Sequence, residues 1–121
     1  MHTRAPAHAD RMKTYSPHAV ALAATAAHSD RPTTTIIHDG PDARLVVFRI
    51  EPGQRVPPHT STSTVMLTVF SGSGSVTGGD HERGVGPGDV IAYEPGELHG
   101  MEATEETLII VATIAPRPGS R

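Results

Sequence analysis

Twice between Gly53 and His99 a glycine turn leads the chain into extended structure that carries a histidine. The first instance is Gly53-Gln54-Arg55-Val56-Pro57-Pro58-His59, followed by an apolar run over 64–70 and the turn Ser71-Gly72-Ser73-Gly74. The second is Gly88-Asp89, a short run over 90–93, and then Glu94-Pro95-Gly96-Glu97-Leu98-His99. From Thr33 onward β-branched runs alternate with glycine and proline at short, regular spacing, and no helical period returns. That texture predicts an all-β barrel or sandwich of about eight to ten antiparallel strands over 33–114.

The spacing of these residues resembles the two conserved motifs of the cupins. In the first motif a glycine precedes a histidine by six positions, and a second glycine follows that histidine by thirteen; Gly53, His59 and Gly72 stand at those places. In the second, Gly88, Gly96 and His99 match, while Pro95 sits one place later than the family's proline, where this chain has Glu94. The chain is thus similar to a small single-domain cupin, which implies an antiparallel jelly-roll barrel, or double-stranded β-helix.

The resemblance also implies a metal shell of three histidines and a glutamate. This sequence has His59 and His99 at the first and last ligand positions, but Ser61 and Val65 at the middle two. Neither of those is a competent ligand for a divalent cation. The expectation is a degenerate site, with either no cofactor or a weakly held iron, manganese, nickel or zinc ion on His59 and His99. His38 and Glu97 are candidates for a third donor.

A chain of 121 residues suits one domain with a single core. The net charge of -3 comes from interspersed acids and bases, so there is no basic face for nucleic acid. The absence of cysteine rules out disulfides, thiolate metal sites and cysteine nucleophiles. No stretch approaches the ~18 consecutive apolar residues of a membrane-spanning helix. The alanine-rich segment 19–27 behind Arg11 and Lys13 is too weakly apolar for a secretory signal, and the expected location is the cytoplasm.

Residues 1–14 read as a disordered arm and 15–32 as a short helix with its linker. Ser16-Pro17 supplies an N-cap and a first-turn proline, the helix runs to about His28, and Val20 and Leu22 hold it to the body. Strands are expected over 33–38, 43–51, 64–70, 81–85, 90–93, 98–102 and 107–114. In the second of these Val46, Phe48 and Ile50 form the cleaner core face. Residues 115–121, rich in proline, read as a flexible tail. Met66, Thr68 and Phe70, together with the run 107–114, leave more apolar surface than a small barrel should expose. A homodimer is therefore expected, the N-terminal helix being the other possible cover.

Period-two alternation places His59, Ser61, Val65 and Leu67 on one face, provided no bulge intervenes, and His99 and Met101 on another. These residues are the expected pocket lining, with Tyr93 near the mouth. Ser61 has no acid–base partner at triad spacing and reads as a cavity hydroxyl, while Glu94 and Glu97 are loop carboxylates. Two functions follow. One is a module that binds a small, largely apolar molecule around His59 and His99. The other, implied by the family, is a mononuclear metal-dependent enzyme of dioxygenase or isomerase type using those two histidines as ligands. A third reading, a protein-interaction module with a vestigial pocket, stays open beside them.

Overall fold

The computed structural model describes residues 12–119. Most of the expected N-terminal arm and the last two residues of the expected tail lie outside the described residues. Among those described, one helix, α1 (Pro17–Ala23), precedes nine strands: β1 (Thr33–Asp39), β2 (Arg44–Ile50), β3 (Arg55–His59), β4 (Thr64–Ser71), β5 (Gly74–Gly78), β6 (His81–Val85), β7 (Val90–Tyr93), β8 (His99–Ala103) and β9 (Leu108–Ala115). All pairings are antiparallel, in a five-stranded sheet ordered β1-β2-β9-β4-β7 and a four-stranded sheet ordered β3-β8-β5-β6. The two sheets face each other as the jelly-roll barrel that the motif spacing implies. No helix among the described residues is long and apolar enough to cross a membrane.

The central strands β4 and β9 explain the architecture. Val65, Leu67 and Val69 alternate inward from β4, and Leu108, Ile110 and Ala112 from β9 join them. Together with Ile50, Val76, Met101 and Ala103 they form the core between the sheets. Each such Leu or Ile side chain contributes roughly 1.5–3 kcal/mol by leaving water. The face Val46-Phe48-Ile50 of β2 does point inward, but the opposite face is also covered: Val47 packs with Ile109, Val111 and Ala21 in a second cluster beneath α1.

The helix differs from the sequence expectation in length and in its buried face. It ends at Ala23 rather than near His28, with Ala24 already extended, and the Ser16 side chain makes no capping hydrogen bond. Ala21 is its buried residue and Val20 packs beside it, whereas Leu22 is 64% exposed. A seven-residue helix of this composition has too little apolar area to dock by itself. Arg49 compensates, donating from Nη1 to the carbonyls of Ala21 and Ala24, while its Nε lies 3.3 Å from Glu51. Thus Arg49, on the outward face of β2, satisfies carbonyls that the short helix leaves open.

Residues 115–117, within the expected tail, are tied to the barrel. Ala115 still pairs with Thr64, the Ser63 hydroxyl donates to the Pro116 carbonyl at 2.7 Å, and Arg117 pairs with Asp39 at 3.0 Å. Ser63 is buried, so this anchor is shielded from water. Outside, α1 covers the β2–β9 half of the five-stranded sheet, and Met66, Phe70 and Val90 on the β4–β7 half remain exposed.

Candidate functional site

One turn recurs three times along the chain, as Glu51-Pro52-Gly53-Gln54, Gly86-Pro87-Gly88-Asp89 and Glu94-Pro95-Gly96-Glu97, and the third copy lies at the site. Their glycines have φ of 91, 91 and 87°, the left-handed conformation that a type II turn demands at its third position. In each, the fourth residue's N–H donates to the first residue's carbonyl, at 2.9, 3.1 and 3.1 Å. In each, the fourth residue's side chain also accepts from the first residue's N–H, at 2.9, 2.9 and 2.7 Å. The pattern Pro-Gly followed by Gln, Asp or Glu is therefore a self-capping turn, and its third copy aims the chain into His99. A further bond, from Gly96 N–H to the Ser61 carbonyl at 2.8 Å, ties the second-motif loop to the first.

His59 and His99 are cross-strand partners on β3 and β8, with ring centroids 4.3 Å apart. The pairing contains a bulge: Val56 faces Met101, yet three residues further on His59 faces His99 only two residues back. Pro57 and Pro58 occupy the bulge, where missing N–H groups break no ladder. It nests over Gly100, at which an added Cβ would lie 2.9 Å from the Val56 carbonyl and 3.1 Å from the Pro58 nitrogen. Only glycine between His99 and Met101 lets the two strands close enough for the rings to meet.

Each imidazole makes the same local bond. His59 Nδ1 lies 3.0 Å from the Pro57 carbonyl and His99 Nδ1 lies 3.1 Å from the Glu97 carbonyl. A carbonyl only accepts, so Nδ1 carries the proton in both rings and Nε2 holds the lone pair. Burial, reinforced by the neighbouring His59, holds the His99 pKa below the usual histidine value, against a smaller opposing pull from Glu97. His99 is thus a neutral base with an available acceptor nitrogen.

The pair opens on a cavity of about 240 Å³. Phe48, Val65, Leu67, Ala112 and Ile114 line it from the five-stranded sheet. His59, Ser61, His99 and Met101 line it from the other side, and Pro118 stands at its edge. Of the residues singled out from the sequence, His59, Ser61, Val65, Leu67, His99 and Met101 are brought together here. His59 is exposed at the rim while His99 is buried. Tyr93 is not at the mouth. It is buried behind His99 with ring centroids 5.0 Å apart, and its hydroxyl donates to the Thr77 carbonyl at 2.7 Å. Burial, aided by the Glu97 charge, raises its pKa, so it remains a phenol that buttresses the ring.

The donor set does not fit the four-ligand metal shell. Among the described residues no group of three or more His, Asp or Glu side chains converges. The Ser61 hydroxyl accepts from the Ser63 N–H at 3.0 Å, and Val65 is part of the apolar core. His38, one candidate third donor, meets Tyr15 instead, its Nδ1 3.2 Å from the phenol oxygen. The Glu97 carboxylate, the other, caps its own turn. Phe48, Ala112, Ile114, Pro118 and Gly100 were not anticipated as site residues. Phe48 and Ile114 could have been found by carrying the inward alternation of β2 and β9 as far as the motif histidines.

A family model for the cupin domain matches residues 46–114, from β2 through most of β9. No curated protein matches the sequence. Among solved structures, a double-stranded β-helix protein of Klebsiella pneumoniae aligns with TM-score 0.78 and 23% identity, covering 88% of this chain and 92% of that one. An RmlC-like cupin protein of Desulfovibrio desulfuricans aligns with TM-score 0.75 and 25% identity over 88% and 98% of the two chains. KdgF from Halomonas sp. aligns with TM-score 0.70 and 21% identity over 77% and 86%. With the paired histidine motifs and the jelly-roll topology in place, the chain belongs to the cupin family.

Proposed function

We propose that this protein binds a small organic molecule in the barrel, with a hydrogen-bond-donating group against the Nε2 atoms of His59 and His99 and an apolar body against Phe48, Leu67 and Met101. The observation that supports this reading is a pair of imidazoles whose Nδ1 protons are committed to backbone carbonyls, in a cavity whose other walls are almost entirely apolar. Neutral Nε2 atoms accept from hydroxyl or amine groups, and the walls reward hydrocarbon. A divalent cation would find two nitrogen donors and no carboxylate to offset its charge, so any iron, manganese, nickel or zinc is held weakly.

The test joins metal analysis of protein purified without an affinity tag to calorimetric titration with 1-hexanol. Binding by metal-free protein, weakened both by His99→Gln and by filling the cavity with Ala112→Leu, is expected. Near-stoichiometric metal that survives dialysis and disappears in His59→Ala would overturn the reading in favour of the metal-dependent enzyme. The proposal includes association of two copies through Met66, Phe70 and Val90, because α1 leaves that half of the sheet uncovered. Light scattering at micromolar concentration should return the dimer mass, and a monomer mass removes this part.

A further inference from the structure

We infer that the groove beside Arg31 and Arg55 is a second subsite of the same cavity, receiving the anionic end of an elongated apolar ligand whose other end reaches the histidine pair. This rests on the binding reading above. The groove lies where the two sheets part, between β1 and β2 on one side and β3 on the other, and has a volume of about 510 Å³. Phe48 is a wall of both the groove and the histidine cavity, so the two spaces adjoin across one side chain. The groove continues the apolar character of the cavity through Phe48, Val56 and Pro57, and Arg31 and Arg55 stand along it.

Size and charge both favour a ligand that uses the two together. The histidine cavity alone, about 240 Å³, falls below the roughly 300–1,000 Å³ of a typical small-molecule pocket. The groove, at about 510 Å³, lies within that range, and because Phe48 borders both spaces a ligand too long for the cavity can extend into it. Arg31 and Arg55 are exposed and form no ion pair among the described residues. Arg55 is in register with Glu102 on β8, yet the two side chains do not bond. Asp30 also lines the groove, which leaves one net positive charge. That balance suits a monocarboxylate, which a guanidinium can grip through two parallel hydrogen bonds, better than a doubly charged phosphate.

Titration of octanoate and 1-octanol against the full chain tests the assignment. The wild-type protein should bind octanoate more tightly than 1-octanol, by roughly fivefold for guanidinium contacts at an exposed groove. In the double variant Arg31→Gln/Arg55→Gln, shown to be folded by an unchanged thermal midpoint, the two affinities should become equal while that for 1-octanol stays put. The absence of a carboxylate preference in the wild type, or a preference that survives the double variant, overturns the groove assignment. The cavity reading fails separately if His99→Gln and Ala112→Leu leave both affinities unchanged.

Discussion

His59 and His99 present the same ring, with the same proton on Nδ1 and the same bond to a carbonyl two residues back, on two very different supports. His99 sits on β8, flanked by β3 and β5, with Tyr93 packed behind it. His59 ends β3, an edge strand paired on one side only, and projects from a proline bulge into an exposed rim. One wall of the site is therefore fixed by the core, and the other is free to adjust. On the binding reading proposed above, the buried base would set the position of a ligand's polar group, and the rim imidazole would adjust to ligands of different bulk.

The largest expected effect comes from forcing the two supports apart. Gly100→Ala drives a methyl group into the backbone of the bulge, at contacts that neither carbonyl nor proline ring can relieve by a side-chain rotation. A loss of about 3 kcal/mol, at the upper end of the overpacking range, is expected in urea denaturation. Histidine ring proton shifts should show that the two tilted imidazoles no longer meet. If the stability loss is under about 0.5 kcal/mol, the close approach at Gly100 is not what holds the pair together.

Replacing each histidine measures the asymmetry directly. His99→Ala removes a buried ring that touches both Tyr93 and His59, and a loss of about 1–3 kcal/mol is expected; His59→Ala, at an exposed edge, should stay within about 0.5 kcal/mol. Both should weaken ligand binding. Equal stability losses would contradict the contrast between a fixed and an adjustable wall.

How far the sequence disclosed this contrast depends on which physical signal each residue carries. The strands β2, β4 and β9 were legible because they are β-branched, apolar runs bounded by turn residues, β9 by its continuous apolar composition, and the turns because Pro-Gly pairs punctuate them. The meeting of His59 and His99 was legible through motif spacing. The bulge at Pro57-Pro58 was not: the one-residue shift falls between Val56 and His59, ahead of the alternation that starts at His59, and only the pairing with β8 reveals it. Arg49 was equally opaque. Its alternation puts it outside, where an arginine ordinarily meets water, and nothing local shows that it bonds carbonyls 25 and 28 residues away in sequence. The placement of Tyr93 failed for a related reason, since proximity to a loop in sequence does not say on which side of His99 the ring falls.

The glycines of the two motifs offer a smaller, symmetrical test. At Gly53 and Gly88 an added Cβ meets nothing within 4 Å, and φ is 91° at both. Substitution by alanine then costs only backbone strain, about 1–2 kcal/mol at each, less a little for the stiffer unfolded chain. Denaturation midpoints for Gly53→Ala and Gly88→Ala should fall together. A much larger loss at one position would mean that its turn bears on the site beyond starting a strand.

The smallest effect is the dependence of stability on pH through His99. Burial, with the adjacent His59, lowers its folded pKa below the ordinary histidine value of 6.5, so the unfolded chain takes up a proton before the folded one does. Above that value both states are neutral at this position and stability is unaffected. As pH falls below 6.5 toward the folded pKa, the unfolded state binds more protons and the protein loses stability, which is the positive slope that linkage requires. Asp39 does not confuse this window, because hydrogen bonding by Arg44 holds its pKa below the ordinary aspartate value of 3.8, and its contribution is lost only in stronger acid. Urea titrations at pH 7.5 and 5.5 should therefore show a decline in the wild type that is reduced in His99→Gln. A decline of equal size in the two proteins would show that the buried imidazole is not the group responsible, and would remove the electrostatic part of the argument for a fixed wall.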